Sequence, residues 1–314
     1  TNWPGVRHGQ YYFEKCQKTR HYGRIKVASL RYSFSGHESF HCRSLWLKNG
    51  YDFLADGHAF NEPDAVVHLG VGKNMVAAIR FWLKAFGLTE NDTLTPLAHF
   101  IFSDQDGCDR FLEDTNTLWL LHYSLIQTNI ASLYRILFLE FQRERKEFDR
   151  QSLHSFIKRK CSAPEQKNVY NENTVKKDIN VLLQNYVAPG SLKSLEDFSA
   201  LMIGLNLIVR SEDDDEKEHY SFNEIKESNI AQQVILYAIL DIKGEDKTVS
   251  FDRLKELSLL FCMPLPDLIN TIKSIESTGK YGIHYTDNSG IKNVQFTQDT
   301  DKYQVLSDYY HPLL

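Results

Sequence analysis

The sequence predicts a mainly α-helical fold with small β-hairpin wings, arranged as tandem winged-helix-like, helix-turn-helix modules. Three observations carry that expectation. Apolar residues recur at helical spacing in several separate stretches. Residues that stop or start helices fall between neighbouring stretches. After two of the helical sets, alternating segments flank a polar turn. The expected division is a basic aromatic arm over 1–33, a first helix-turn-helix module over 34–111, long helices with a second winged-helix-like module over 112–225, and a C-terminal winged-helix-like module over 226–314. A chain of 314 residues that is 42% hydrophobic has room for more than one such module.

In the first module, Pro63 is suited to the first turn of a helix and Gly70 to its end, and "VGKN" then turns into a second helix near Asn74. Val76, Ile79, Leu83 and Phe86 fall on the expected core face of that helix, opposite Lys73, Ala77, Arg80 and Lys84. Cations on the outer face and Asn74 at the helix start are the residue types that meet phosphates and base edges in a major groove. A helical hairpin whose polar face is only solvated has the same pattern.

From Leu112 two long helices are expected, with Asp114 or Thr115 as the first cap and Trp119, Leu120, Tyr123 and Ile126 in the core. "RERKEFDRQSLHSFIKRK" offers Arg143, Arg145, Lys158, Arg159 and Lys160 as a weaker phosphate surface. A further helix opens at "NENTVKKDINVLLQNY", with Asn173 as N-cap and Val175, Ile179, Leu182 and Tyr186 buried. Lys176, Lys177, Asn180 and Gln184 then face outward. "GLNLIVRS" and "HYSFNE" flank the acidic run "SEDDDEKEH" as the strands of a wing whose tip should avoid DNA. The pattern recurs with helices at "AQQVILYAILDI", "FDRLKELSLLF" and "PDLINTIKSIE" and a hairpin turning at "DNSG". That third helix offers only Asn270 and Lys273 as polar contacts, which favours packing or protein contact there.

The net charge of −5 conceals an asymmetry. Residues 1–50 carry nine cations (Arg7, Lys15, Lys18, Arg20, Arg24, Lys26, Arg31, Arg43, Lys48) against Glu14 and Glu38. Tyrosines and a phenylalanine lie among them, a mixture suited to phosphate contact and base stacking, with Arg24 and Arg31 as DNA-binding candidates. A solvated leader is the alternative. The stretch from Leu118 to Phe141 is interrupted by His122, Gln127, Asn129 and Arg135, so no membrane crossing is expected. Five cysteines without a C-x-x-C pair fit reduced thiols, and no apolar signal core opens the sequence; a cytoplasmic protein is expected. No nucleotide is expected either. "LGVGKN" has Val67 where a phosphate loop needs its first Gly, and Asn74 where it needs Ser or Thr.

"SGHESFHCRSLW" contains His37, Glu38 and His41 in the H-E-x-x-H spacing of zinc peptidases. That chemistry needs the motif on a helix, with both imidazoles on one face. Gly36 places it at a loop exit or a first helical turn instead, and nothing in the spacing of His58, His68 or His99 selects a third ligand.

Three ordered blocks, "FSGHESFHCRSLWLKNGYDFL", "DAVVHLGVGKNMVAAIRFWLKAFGL" and "LEDTNTLWLLHY", resemble a bacterial domain-of-unknown-function family encoded beside DNA phosphorothioation genes, within single-stranded phosphorothioation and phage-defence systems. The resemblance runs from about Phe34 to Tyr220. Its first block reads G-H-E-[ST]-F-x-x-R, matched here by Gly36, His37, Glu38, Ser39, Phe40 and Arg43, with His41 at an unspecified position. The resemblance implies a DNA nickase that acts on duplex DNA with a cysteine desulfurase, a sulfur-activating ATPase related to PAPS reductase, and a further ATPase.

Cutting one phosphodiester needs an activated nucleophile, charge neutralisation and a proton for the leaving oxygen, often with a divalent metal such as Mg or Mn. His37 is the candidate base or metal ligand, Glu38 the candidate ligand or orienting group, and Arg43 the candidate phosphate clamp. Asp104, Asp106 and Asp109 are further oxygen donors in what is more often only a loop. Two alternatives stay open at this level. His37 and Glu38 can be a structural pair that ties the arm to the first module, and the protein can be a non-catalytic DNA-binding adaptor.

Overall fold

Why the helices stop where they do is visible at their ends in the computed structural model, which describes residues 31–166, 168–189, 199–213, 215, 217–288 and 291–312. The expected arm, including Arg24, lies outside these residues apart from 31–33. The protein is mainly α-helical with small antiparallel β elements.

The first helices are α1 (Trp46–Ala55), α2 (Ala65–Leu69) and α3 (Lys73–Ala85). Gly70 ends α2 in the left-handed conformation at φ 64°. The helix opens at Ala65, two residues after Pro63, because Asp64 takes the N-cap position. Val76, Ile79, Leu83 and Phe86 are buried as their spacing requires. A two-residue hairpin, β1 (Thr89–Glu90) with β2 (Thr93–Leu94), follows and leads into α4 (Pro96–Phe102).

Helix α5 (Thr115–Thr128) is apolar nearly all round and therefore runs through the core, with Trp119, Leu120, Tyr123 and Ile126 buried. Asp114 is its cap, accepting the Asn116 N–H at 2.7 Å. The next helical run is shorter and less regular than expected. It comprises α6 (Ser132–Arg135), a π-helical stretch (Ile136–Phe141) and α7 (Gln142–Glu144). Arg145 is already extended, and β3 (Glu147–Phe148) follows. Then come α8 (Arg150–Lys160), opened by a capping box between Asp149 and Ser152, and α9 (Glu172–Tyr186). The N-cap of α9 is Asn171, whose Oδ1 accepts the Thr174 N–H at 3.0 Å, and not Asn173, which lies inside the first turn.

The strands expected beside the acidic run are β4 (Ile208–Glu212) and β5 (Glu218–Phe222), in the register Ile208↔Phe222 to Glu212↔Glu218. β3 pairs with the other side of β5, giving the order β3-β5-β4. The C-terminal part repeats this plan with α10 (Gln232–Lys243), β6 (Thr248–Ser250), α11 (Phe251–Leu260), α12 (Leu265–Ser277), β7 (Ile283–Asn288) and β8 (Ile291–Phe296), in the order β6-β8-β7. A last helix, α13 (Lys302–Tyr310), packs on α10. One buried apolar cluster runs from Cys42 to Leu306 across most of these parts, and Phe53, Ala65 and Val76 form a small second one around α2.

Candidate nucleic-acid interface and the His37 loop

The H-E-x-x-H segment is a turn. Its backbone is left-handed at Ser35, Gly36, Glu38 and Ser39, and the next helix starts only at Trp46. The two imidazoles therefore do not share a helical face, and the zinc-peptidase arrangement is absent. Gly36, at φ +106°, is required twice over, since a Cβ there would lie 2.5 Å from a ring carbon of Phe81.

His37 is 5% exposed. Its Nδ1 accepts the Ser39 N–H at 3.1 Å, which leaves the proton on Nε2 to donate to Asp178 Oδ1 at 2.9 Å. Asp178 Oδ2 accepts the Ser35 N–H at 2.8 Å. The imidazole lies nearly parallel to Trp82, at 6.1 Å and 16°, and edge-on to Phe81. A crevice of about 10 Å³ beside it, lined in part by Ser33, Ser35 and Tyr134, holds a water at most.

The rest of the segment is stitched down in the same way. Cys42 N–H donates to Asn185 Oδ1 at 2.9 Å, and Asn185 Nδ2 donates to Tyr134 OH at 2.6 Å. Trp82 Nε1 donates to the Phe40 carbonyl, Leu201 N–H to the Cys42 carbonyl, and Ser44 N–H to the Ser199 carbonyl. Arg43 bridges to Ala200, with its guanidinium carbon 5.4 Å from the Trp46 ring centre. Asp178 and Asn185 were missed in the sequence. They are seven residues apart, hence two turns apart on one helix face, and each lies three residues after an apolar core position, Val175 and Leu182. That interruption of an apolar stripe was the available signal.

These bonds decide how far the residues fit a metal. Both ring nitrogens of His37 are engaged, so it offers no lone pair to an ion in this arrangement. Glu38 is exposed next to it. Among the described residues no three His, Cys, Asp or Glu side chains stand close enough to hold an ion. Asp109 accepts the N–H groups of Glu113 and Asp114, and Asp104 pairs with Arg110, which makes that loop a set of local caps.

The expected contact faces are exposed. On α3, Lys73, Asn74, Ala77, Arg80 and Lys84 point to solvent. Arg80 is held by two bonds to Asp92 in the β1–β2 turn, Nε to Oδ1 at 2.9 Å and Nη2 to Oδ2 at 2.5 Å. On α9, Asn173, Lys176, Lys177, Asn180 and Gln184 are exposed, and Lys176 pairs with Glu172 at 2.6 Å. Arg31 is exposed as well. The weaker surface is largely neutralised, because Arg159 pairs with Glu144, Lys160 with Glu140 and Arg143 with Glu256. Within the acidic run Asp213 accepts the Asp215 and Lys217 N–H groups and contacts His219.

A mainly helical protein with two exposed, cation- and amide-bearing helix faces and a loop tethered through a buried histidine is the class that fold and site define. The chain belongs to the family described as "Protein of unknown function (DUF4007)", which matches residues 34–310. No curated protein matches the sequence. Two solved structures share its fold, described as "Magnesium ion-bound SspB crystal structure" and "SspB crystal structure". Each is 24% identical and covers 88% of either chain, with TM-scores of 0.75 and 0.74.

Proposed function

We propose that this protein is an SspB-like, duplex-DNA-binding component of a DNA phosphorothioation and phage-defence system, and that its reaction is the nicking of one DNA strand. The observation that carries the DNA reading is the repeated order of helix, strand, helix, helix and hairpin, with the sheet order first, last, middle. We read this order as that of a winged helix. In the first of the two copies the last α-helix before the hairpin among the described residues, α9, exposes Asn173, Lys176, Lys177, Asn180 and Gln184, and we take it as the counterpart of the helix that enters a major groove in such modules. α3, with Lys73, Asn74, Arg80 and Lys84, supplies a second, mainly phosphate-directed face.

Nicking rests on the family resemblance of the G-H-E-S-F-x-x-R block and on the shared fold with SspB. The partners it implies, a cysteine desulfurase, a PAPS-reductase-like ATPase and a further ATPase, rest on the same resemblance. One SspB structure is described as magnesium-bound, but His37 here has no free nitrogen, so no step is routed through a metal at that residue. We read His37 and Asp178 as holding the loop that carries Glu38 and Arg43. The same engaged histidine favours a second reading, a non-catalytic adaptor that brings partner enzymes to DNA.

Supercoiled plasmid incubated with Mg²⁺ or Mn²⁺ separates the two. Nicking yields relaxed circles that Glu38→Ala abolishes with binding intact; no relaxed circles with tight duplex binding leaves the adaptor. Binding itself should weaken steeply with salt, and Lys84→Ala, at an exposed cation on the same face of α3, should reduce the slope of log affinity against log salt by about one. Affinity that does not respond to salt would remove the DNA reading.

A further inference from the structure

Four residues of α9, Asn173, Lys177, Asn180 and Gln184, recur at spacings of four, three and four, so they form one straight stripe on the solvent face. Among the described residues none of the four has an ion pair or a side-chain hydrogen bond. The stripe is about 16 Å long at 1.5 Å per residue, enough to follow roughly five base pairs. Its chemistry differs from that of the other exposed helix faces. On α3 the outer residues are cations with a single amide, and Arg80 is committed to Asp92. On α12, Lys273 lies over the Tyr285 ring and Ser274 accepts from Gln232.

Resting on the DNA-binding reading above, we infer that the α9 stripe reads base edges and that its ligand class is duplex DNA bearing adenines in the contacted groove. A carboxamide presents one donor and one acceptor side by side, the complement of adenine N7 and N6 in the major groove, whereas phosphate offers acceptors only. Three carboxamides around a single lysine therefore favour sequence readout over general phosphate attraction. Lys177 adds charge to the stripe, and α3 adds sequence-independent affinity. Asn173, Asn180 and Gln184 are the specificity-determining residues.

The test is enrichment of randomised duplexes on the full chain, followed by anisotropy titrations with the preferred duplex and with one whose adenines are replaced by guanines. The expected preference is roughly fivefold or more. The double variant Asn180→Ala/Gln184→Ala should bring that ratio close to one while leaving affinity for the substituted duplex within about twofold. Asn74→Ala on α3 should keep the preference. A double variant that keeps the full preference overturns the inference, as does wild-type binding with no preference, and both leave the DNA-binding reading standing. Absence of binding to either duplex overturns both. All three substituted side chains are exposed, and circular dichroism of each variant checks that the fold is retained.

Discussion

Removing the Asp178 carboxylate would leave the His37 Nε2 proton without an acceptor in a site that is 5% exposed. Such an orphaned buried donor costs about 1–3 kcal/mol, so Asp178→Ala and His37→Ala are expected to lower urea stability by that amount. Glu38→Ala, at an exposed side chain, should stay within about 0.5 kcal/mol of wild type. Equal losses in all three variants would contradict the separation of a tethering His37 from a solvent-facing Glu38. His122 gives a second residue-level expectation. It is fully buried, donates from Nε2 to the Leu260 carbonyl at 2.8 Å and accepts from Tyr186 OH at 2.6 Å. Burial in an apolar core lowers its pKa to about 4 from the ordinary 6.5. The unfolded chain therefore binds this proton first as pH falls. Its contribution is complete above pH 6.5 and is lost between 6.5 and about 4, amounting to about 3 kcal/mol. Denaturation titrations across that window should show a shallower slope in His122→Phe; an unchanged slope would assign the acid sensitivity elsewhere.

At the scale of elements, the ends of α9 separate two asparagines that look alike in the sequence. Asn171→Ala should cost about 1 kcal/mol through loss of the cap to Thr174, whereas Asn173→Ala, inside the helix and exposed, should leave the melting temperature nearly unchanged. The reverse result would restore Asn173 as the cap. Helical periodicity and turn residues made most helix cores legible: Gly70 after α2, Asp114 before α5, and the buried stripes of α3 and α9 fall where the spacing put them. Strands β3 and β6 were not legible. At two and three residues they are too short to show alternation, and they are strands only because β5 and β8 offer open edges to pair with. The π-helical turn was hidden for a related reason. Ile136–Phe141 is buried at five of six positions, so no polar face betrays the change of helical pitch.

For the whole molecule, the three helical segments distinguished by sequence are expected to unfold together. Helix α13 reaches back across the chain: Asn116 donates to Tyr309 OH at 2.7 Å, Thr117 meets Tyr310 OH at 2.8 Å, and Lys302 meets Asp241 at 2.5 Å, where Tyr123 also donates. With Val305 and Leu306 buried in the common cluster, calorimetry should give a single transition. Two separate transitions, with the C-terminal part melting alone, would contradict a shared core. Among the described residues no helix is long and apolar enough to cross a membrane, as the polar interruptions of the 118–141 stretch required.

The sequence by itself determined the helical character, the exposed faces of α3 and α9 and the two principal hairpins, because each follows from periodicity and turn chemistry within a short window. It also singled out the His37 block, but as three chemistries at once: zinc ligand, catalytic base or structural tether. Only the tertiary structure brought Asp178, 141 residues away, against His37 Nε2 and turned Ser39 N–H toward Nδ1. A histidine's role is set by what its two nitrogens meet, and the partner of Nε2 comes from packing of a distant element, which no local pattern encodes. The pairing of Arg80 with Asp92 follows the same logic, since a cation counted as free along the chain becomes a committed one when a hairpin folds back beside it.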